Sequence, residues 1–484
     1  MNFSTKQLLY GLLILLIPSL GQAQQRGDIF AAGKILTYTK TQLSLIYSLN
    51  GIPTFVAPID YEVDAYKVVY YTLNTQGDSL VLASGLVLSP SGGCELPLML
   101  YCHGTVYYDD DVPSELPLES IIGLPYAANG YMVCMPDYLG LGESAGQHPY
   151  IHAKSEATAS VDMMRAARNL AADSSITLNN QNFVTGYSQG GHAAMAAFRE
   201  LEQQHTNEFT VTAAAPASGP YDISGTSRDS LLAERATRPF YMGYIILGLL
   251  EAYPDIAANY PDLNQILVEP YDTLVPQLLD RSGPQVSGTL PDTAIYMLQD
   301  SVLQAVRTDN LHPFNIAFRD NDLYDWVPNA PLKMYYCEAD QDVSYINSVV
   351  TDSAMNANGA IDVEALSVGA NLDHGGCVGP SIIQAKFFFD TKRIVCTPTS
   401  VDDAFEAGLS LSPNPMRTSS RLDLYGFREQ IQAIQLIDIN GRLIRTYDAP
   451  NATELVIERG NLASGWYNVQ VIGEKMYQLP VWVQ

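Results

Sequence analysis

The stretch that decides the fold is Gly186-Tyr187-Ser188-Gln189-Gly190-Gly191, which has the form Gly-x-Ser-x-Gly. An apolar, β-branched run at 182–185 precedes it, and an alanine-rich run at 192–198 follows it. This order predicts a strand that turns sharply into a helix. Glycines are needed because a Cβ in such a turn would meet the neighbouring strand or helix. The helix N-terminus also favours negative charge nearby. We therefore predict that Ser188 is a nucleophile, the alternative being an ordinary glycine-rich turn with an incidental serine.

Length and composition leave room for a large core and several domains. The chain has 484 residues, of which 47% are hydrophobic, enough for two or three domains. It carries 26 basic and 52 acidic residues, for a net charge of −26. Such an acidic protein is a poor partner for nucleic acid or anionic membranes, so we expect neither.

The N-terminus has the pattern of a secretory signal peptide. Lys6 supplies a positive charge, residues 8–16 are apolar, and Gly21-Gln22-Ala23 forms a small-x-small cleavage site. We predict a signal peptide over 1–23 and an exported mature chain that starts near Gln24. No later apolar run reaches about 18 residues, so we expect no integral membrane segment in the mature chain.

Six cysteines lie in the predicted mature chain, where an oxidising compartment permits disulfides. Spacing alone cannot choose among the possible pairings. Cys377 and Cys396 bracket a predicted helix at 380–390, and we favour them as a pair. Cys102, Cys134 and Cys337 lie in apolar, strand-like runs, where a buried free thiol is an equal expectation.

From residue 96 onward, short apolar strands alternate with helical patterns. The predicted strands are 96–102, 131–136, 182–187, 209–215, 332–337 and 363–368. This alternation predicts an α/β fold with a mainly parallel sheet and helices on both faces, preceded by paired strands within 64–90. Residues 222–331 interrupt it with mostly helical sequence, which we interpret as a cap insertion that lines the substrate site. The alternative is a helical subdomain with no role in binding.

The C-terminal part of the chain has a different amino-acid pattern. We predict a linker over 396–408 and, over 409–484, a small all-β sandwich. Asn440-Gly441, between two apolar runs, is a strong hairpin signal. No constellation of catalytic residues occurs in this part.

A serine needs a neighbouring base, and in a strand–turn–helix setting the partners follow in the order serine, acid, histidine. Of seven histidines, only His374 follows the later sheet strands. It lies in what reads as a glycine-flanked loop directly after the last strand. We therefore predict that His374 is the base, the alternative being a simple loop histidine.

The acid should lie in the turn after the penultimate strand, which reads Glu338-Ala339-Asp340-Gln341-Asp342-Val343. Asp340 fits best because, with Val343, it forms the Asp-x-x-Val spacing that is common in this turn. Asp342 is the fallback, and Glu338 fits less well.

The developing oxyanion needs hydrogen-bond donors. The backbone N–H of Gln189, directly after the nucleophile, should be one, and that of Thr105, in the loop after the strand at 96–102, should be the other. We expect His103 to brace that loop. The run of acids at 109–111 is better explained as solvated loop than as a metal site, and we predict neither metal nor cofactor.

With these residues in place, residues 60–393 resemble an α/β-hydrolase, and within that superfamily they are similar to the secretory lipases. The matching pieces are Tyr101-Cys102-His103-Gly104-Thr105, Pro136-Asp137-Tyr138-Leu139-Gly140, the 162–168 helix and the Ser188 turn. The resemblance implies a Ser-His-Asp carboxylic ester hydrolase, here over 24–395, with its cap between the sixth and seventh strands.

The C-terminal unit resembles the type IX secretion sorting domain. The matching pieces are Leu411-Ser412-Pro413-Asn414-Pro415, Asp438-Ile439-Asn440-Gly441-Arg442 and Leu462-Ala463-Ser464-Gly465-Trp466-Tyr467. The resemblance implies export by an outer-membrane secretion machinery that engages residues 409–484, followed by cleavage or surface attachment. The ending at 478–484 departs from the pattern because it lacks the usual basic residue.

Three hypotheses for function follow. The first is an exported lipase or esterase that cleaves hydrophobic acyl esters. The second keeps the triad but acts as a peptidase or amidase, and an apolar cap argues against it. The third is a non-catalytic surface binding protein on the same scaffold, against which the intact serine, histidine and acid argue.

Overall fold

The structure is a computed structural model that describes residues 24–54, 56–92, 95–106, 108, 111–233, 238–280, 290–394, 407–427, 430–438, 442–447, 452–473 and 476–484. The predicted signal peptide and residues 396–406 of the predicted linker lie outside these residues. So do Cys94, Cys396, Asp109, Asp110 and the predicted Asn440-Gly441 turn.

A nine-stranded sheet forms the centre of the fold. Its strands are β1 (Ile29–Tyr38), β2 (Val63–Leu73), β3 (Leu80–Pro90), β4 (Leu96–Cys102), β5 (Met132–Pro136), β6 (Leu178–Tyr187), β7 (Val211–Ala217), β8 (Leu332–Cys337) and β9 (Val363–Gly369). Their spatial order is β1-β2-β3-β5-β4-β6-β7-β8-β9. Strands β1, β2 and β3 pair antiparallel, as do β3 and β5, and every other neighbouring pair is parallel. The predicted mainly parallel α/β sheet is confirmed.

Twelve α-helices accompany the sheet in the described part of the chain. They are α1 (Lys40–Leu49), α2 (Leu124–Ala127), α3 (Ala153–Asp173), α4 (Gln189–Gln204), α5 (Arg228–Leu231), α6 (Pro239–Ala252), α7 (Pro254–Asn259), α8 (Tyr271–Leu278), α9 (Asp300–Thr308), α10 (Pro313–Asp320), α11 (Ile346–Ala357) and α12 (His374–Lys392).

The two faces of the sheet bury two separate apolar clusters. Strand β4 shows why, since successive side chains of a strand point to opposite faces. Leu98 and Leu100 join the cluster beneath α3 and α4, whereas Met99 and Tyr101 join the cluster beneath α1, α2 and α12. All seven residues of β4 are buried, as expected for a central strand covered by helices on both sides.

Helices α5–α10 lie between β7 and β8, within the span predicted as a cap. They enclose an apolar cluster of their own, which includes Ile246, Leu249 and Phe314. The resemblance implied an insertion after the sixth strand. It follows the seventh strand here because β1 pairs with β2 and adds one strand to the sheet. No strand was predicted from the sequence before residue 64.

The C-terminal residues form two antiparallel sheets. One contains β10 (Ser410–Ser412), β11 (Ser419–Asp423) and β14 (Glu454–Glu458). The other contains β12 (Ala433–Asp438), β13 (Leu443–Tyr447), β15 (Gly465–Ile472) and β16 (Met476–Val483). Their shared core includes Leu422, Ile434 and Val469, which are fully buried. The predicted second, all-β unit is therefore present.

The last helix begins earlier than predicted. Helix α12 starts at His374, so this residue opens the helix and does not lie in a loop. The Asp373 side chain accepts a hydrogen bond from the N–H of Gly376 (2.8 Å) and caps the first turn. The three glycines at 375, 376 and 379 and Pro380 suggested a break, but the cap and the packing of the helix on the sheet outweigh them.

The favoured Cys377–Cys396 pairing is wrong. Cys377 is bonded to Cys337, at the end of β8, with 5.9 Å between their Cα atoms. Helix α12 packs on β8, which brings the two cysteines within the range that a disulfide spans. Cys102 and Cys134 are buried free thiols, and burial raises the pKa of Cys102 to about 12. None of the described helices is both long and apolar enough to cross a membrane.

Candidate active site

Ser188 lies in a strained turn between β6 and α4. Its φ of 60° and ψ of −122° fall outside the regions that a non-glycine residue ordinarily adopts. Such strain persists only when many surrounding contacts hold the residue in place, and strained residues are concentrated at functional sites. Ser188 is 7% exposed, so only a small part of the residue is accessible.

The neighbouring glycines make the turn possible. A Cβ at Gly186 would lie 2.1 Å from the carbonyl oxygen of Gly190, and a Cβ at Gly190 would lie 2.0 Å from that of Cys102. Both distances are far shorter than any contact between non-bonded atoms. The backbone of α4 therefore approaches β4 and β6 closely enough to hold Ser188 at the carboxyl end of the sheet.

The structure brings Ser188, His374 and Asp340 together. The Ser188 Oγ atom lies 2.8 Å from Nε2 of His374, and Nδ1 of His374 lies 2.6 Å from Oδ2 of Asp340. In this arrangement Nδ1 carries a proton that it donates to the carboxylate, which leaves Nε2 free to accept the serine proton. The geometry is that of a nucleophile, a base and an orienting acid.

Among the three candidate acids, Asp340 alone contacts His374. Its other oxygen, Oδ1, accepts hydrogen bonds from the N–H groups of Asp342 (3.0 Å) and Val343 (2.9 Å). Both oxygens of the carboxylate are therefore held by hydrogen bonds. The side chain of Asp342 pairs instead with Arg238 at 2.7 Å. Glu338 is exposed at the end of β8.

Two further contacts hold the base in place. The hydroxyl of Tyr187 donates to the backbone carbonyl of His374 (2.6 Å), and the two rings lie 5.1 Å apart. The Cys337–Cys377 disulfide joins the residue three positions before Asp340 to the residue three positions after His374. The end of β8, which leads to Asp340, and the start of α12, which carries His374, are thus covalently joined.

The two predicted oxyanion donors flank Ser188. Gln189 is the first residue of α4, and the first N–H groups of a helix have no partner within it. Thr105 follows Gly104, whose Cβ position would be 3.9 Å from the Cβ of Ser188. Within the described part of the chain, neither of these two backbone N–H groups donates to another group. Both are therefore available to a substrate oxygen.

The loop that carries Thr105 is anchored to three other elements. The Thr105 Oγ1 atom lies 2.8 Å from the hydroxyl of Tyr150, and the hydroxyl of Tyr244, on cap helix α6, donates to the carbonyl of Val106 (3.3 Å). The two tyrosine rings are stacked at 4.3 Å. The N–H of Gly104 donates to Glu119 (2.7 Å).

A buried polar network lies beneath the start of α4. The side-chain amide of Gln189 donates to His148 (2.8 Å) and to Glu156 (3.0 Å). Glu156 also contacts Nδ1 of His192 at 2.6 Å, and Nε2 of His192 faces the carbonyl of Asn321 at 3.1 Å. Burial opposes ionisation of Glu156, but His192 and the hydrogen bond from Gln189 hold the pKa of its carboxyl below the ordinary value. The network fixes the side chain of Gln189, the residue that follows Ser188.

His103 is buried at the end of β4 and contacts two backbone carbonyls. Its Nδ1 atom lies 2.7 Å from the oxygen of Gly104 and its Nε2 atom 3.3 Å from that of Asp137. It also stacks on Tyr138 at 4.3 Å. These contacts brace the loop that carries Thr105. Among the described residues, no group of three or more His, Cys, Asp or Glu side chains is arranged to hold a metal ion.

Ser188 stands where two cavities meet. We call the first the cap cavity, of about 130 Å³, whose wall includes Gln189, Ile223, Leu231, Ile245, Leu249 and Phe318. We call the second the α12 cavity, of about 640 Å³, whose wall includes Thr105, Ile121, Ile122, His374, Val378 and Ile382. Apolar atoms make up most of the surface of both cavities, although 11 of the 21 side chains that line the cap cavity are polar or charged.

The supporting residues of the site were not predicted from the sequence. Tyr150, Glu119, Glu156 and His192 are single polar residues in loops and helices, with no spacing that relates them to Ser188. Their roles arise from contacts between segments 15 to 45 positions apart in the chain. The one available signal was that Glu156 and His192 are polar residues within otherwise apolar helix faces.

Comparison with known proteins gives one family match. The family model described as secretory lipase matches residues 115–371, slightly more than half of the chain. Among curated proteins, none matches this sequence.

Solved structures of an esterase and a lipase share the fold. The rice cell wall degrading esterase LipA from Xanthomonas oryzae is 26% identical with a TM-score of 0.67, over 76% of this chain and 100% of that chain. Candida antarctica lipase A in its closed state is 20% identical with a TM-score of 0.56, over 78% of this chain and 85% of that chain. The second likeness concerns the fold alone.

Proposed function

The chain belongs to the secretory lipase family and is a carboxylic ester hydrolase, and from that premise we propose that it is an exported serine esterase acting on hydrophobic esters. The proposed nucleophile is Ser188, the base is His374 and the orienting acid is Asp340. The observation that carries the proposal is the unbroken chain of contacts from Ser188 Oγ through His374 to Asp340.

The proposed reaction has two halves. His374 takes the Ser188 proton as the hydroxyl attacks the ester carbonyl, and the N–H groups of Gln189 and Thr105 stabilise the negative oxygen. Protonated His374 then gives its proton to the leaving alcohol, which produces an acyl-enzyme. Water, activated by the same histidine, releases the acid. No step requires a cofactor.

The substrate class follows from the walls of the site. Apolar atoms present most of the surface of the cap cavity, and the two arginines on its wall, Arg228 and Arg238, are each paired with an aspartate. Such a wall supports an acyl chain better than a charged peptide terminus. We therefore place hydrophobic acyl esters ahead of peptide bonds.

The test is hydrolysis of p-nitrophenyl esters from acetate to palmitate by the mature chain and by Ser188→Ala. We expect activity in the parent and a loss of at least ~10³-fold in the variant, the scale for removal of a triad nucleophile. A parent that reacts with a fluorophosphonate but cleaves no ester would favour the peptidase alternative. A parent that does neither would refute Ser188 as a working nucleophile.

We further propose that export proceeds in two stages. The 1–23 segment would direct the chain across the inner membrane, and residues 409–484 would engage a type IX machinery at the outer membrane. The family description and the sorting-domain motifs support this route. Fractionation of cells expressing the chain with and without 409–484 tests it. Accumulation of the shortened chain in the periplasm is the expected result, and unchanged export would contradict the proposal.

A further inference from the structure

The peptide group between Ser188 and Gln189 carries one of the two proposed oxyanion donors, and its two ends are held differently. At the carbonyl end, the oxygen of Ser188 accepts hydrogen bonds from the N–H groups of Gly191 (2.9 Å) and His192 (3.2 Å). At the nitrogen end, the N–H of Gln189 donates to no group among the described residues. The anchoring of the Gln189 side chain is therefore one of the restraints on the direction of this N–H.

The Gln189 side chain is anchored through its nitrogen alone. Its Nε2 atom lies 2.8 Å from Nε2 of His148 and 3.0 Å from Oε1 of Glu156. Nδ1 of His148 faces the carbonyl oxygen of Leu139 at 2.7 Å and so carries the proton, which leaves Nε2 to accept. The Oε1 atom of Gln189 is buried and has no hydrogen-bond partner among the described residues. The opposite orientation of the amide would turn this oxygen toward the Glu156 carboxylate, so Glu156 sets which way the amide faces.

Glu156 is itself held from the far side. It is 1% exposed, near the start of α3, and its Oε2 atom lies 2.6 Å from Nδ1 of His192. Nε2 of His192 faces the carbonyl oxygen of Asn321 at 3.1 Å, which requires a proton on that nitrogen. His192 therefore acts at both ends of the peptide group. Its backbone N–H binds the Ser188 oxygen, and its side chain holds Glu156, which holds Gln189.

We propose that Glu156 is a positioning residue for ester hydrolysis, which keeps the N–H of Gln189 directed at the substrate oxygen by accepting a hydrogen bond from the Gln189 side chain. This inference rests on the proposed serine esterase function and adds to it a residue that acts through Gln189 and not on the substrate. Removal of one oxyanion donor costs about 10²- to 10³-fold in kcat, and a misdirected donor should cost less than a missing one.

The test measures kcat and KM for a p-nitrophenyl ester with the full mature chain, per mole of protein that a fluorophosphonate labels at completion. We expect Glu156→Met, which fills the space without accepting a hydrogen bond, to lower kcat by about 10- to 100-fold and to leave KM within about 3-fold. Glu156→Gln should keep kcat within about 3-fold of the parent, because its amide oxygen can accept from Gln189 while its nitrogen donates to His192.

Two further variants separate positioning from stability. Gln189→Met removes the side-chain amide and keeps the backbone N–H, so it should lower kcat as Glu156→Met does. Because the two substitutions break the same contact, the double variant should lie within about 3-fold of the less active single variant. Asp162→Asn is the control, since this carboxylate is also buried on α3 but contacts Thr72 and Arg26. It should lower stability in urea and keep kcat.

Each outcome bears on one of the two proposals. If Glu156→Met unfolds at lower urea but keeps the kcat of the parent per labelled site, Glu156 is structural only and the inference is overturned. An equal loss of kcat in Glu156→Gln also overturns it, because the hydrogen bonds would then not be the cause. Should Glu156→Met not fold, an unchanged kcat in Gln189→Met overturns it instead. If the parent shows no ester hydrolysis that Ser188→Ala abolishes, the serine esterase function itself fails.

Discussion

Asp340 and Asp342 are two positions apart in one turn, yet only Asp340 touches His374. We expect Asp340→Asn to lower kcat by about 10³- to 10⁴-fold, because the amide no longer favours the tautomer that leaves Nε2 free. Asp342→Asn is the matched control, since it removes the contact with Arg238 and should change kcat by less than about 5-fold. Steady-state kinetics on a p-nitrophenyl ester checks both, and the reverse ranking would assign the acid to Asp342.

Single residues were predictable here only where their chemistry and chain order are diagnostic. Ser188 could be singled out because its flanking glycines and its strand–helix context are local. His374 and Asp340 could be singled out because the order of the partners leaves few candidates. Tyr150 and Glu156 could not, because their contacts with Thr105 and Gln189 depend on tertiary packing that no local pattern encodes.

His152 makes stability depend on pH. The ring is buried beside Tyr253, with Nδ1 3.0 Å from the hydroxyl of Ser155. Burial lowers the pKa of His152 from 6.5 to about 4, although the nearby Glu156 opposes the shift. The unfolded chain therefore binds a proton below about 6.5, and the folded chain does so only near pH 4. Between these values the unfolded state holds more protons, so stability falls as the pH falls.

Between pH 7 and pH 4.5 the size of this effect is about 2.4 kcal/mol by linkage, for pKa values of about 6.5 in the unfolded chain and about 4 in the folded chain. We expect urea unfolding of the parent to lose that much more stability between pH 7 and pH 4.5 than His152→Gln loses over the same interval. Each protein is compared with itself at the two pH values, so the packing cost of the substitution, which does not depend on pH, cancels. Equal losses in parent and variant would show that His152 is not the group responsible.

At the scale of elements, the alternation of strands and helices was predictable because buried parallel strands form short apolar runs. The start of α12 was not, because the glycines at 375, 376 and 379 and Pro380 have low helix propensity while the Asp373 cap and the packing against β8 favour the helix. Strand β1 was missed because Gly33 and Lys34 divide its apolar residues into two short runs and, as an edge strand, it leaves most of its side chains exposed.

The disulfide between β8 and α12 gives a prediction at this scale. Replacing Cys337 and Cys377 together by alanine opens a loop of 40 residues, which should cost about 4 kcal/mol in the free energy of unfolding. Because the bridge also joins the elements that carry Asp340 and His374, we expect kcat to fall by about 10-fold or more in molecules that remain folded. Urea titration and ester kinetics measure the two effects separately.

Leu170→Ala is the control for that prediction. Leu170 is buried on α3, away from the site, and its truncation should cost about 2–5 kcal/mol with kcat preserved. If the double cysteine variant keeps full kcat, the bridge serves stability alone. If Leu170→Ala loses kcat as well, activity tracks general stability and the positioning role of the bridge is refuted.

At the scale of the whole molecule, the chain contains apolar cores that share no residues. The clusters on the two sheet faces and in the cap lie before residue 395, and the C-terminal cluster lies after residue 406. The proposed catalytic residues and both cavities belong entirely to the first part. A change of composition after residue 395 made this division predictable, since linker-type sequence separates two segments that each contain their own strands.

The last prediction follows from that division. A chain comprising residues 24–394 should fold and retain kcat/KM for a p-nitrophenyl ester within about 2-fold of the full mature chain, because each part buries its own apolar surface. Calorimetry of the mature chain should then show two transitions, and the shortened chain should keep the one that coincides with loss of activity. Melting of the full chain as a single unit, together with an inactive or aggregated 24–394, would instead mean that the C-terminal sheets contribute to the stability of the catalytic part.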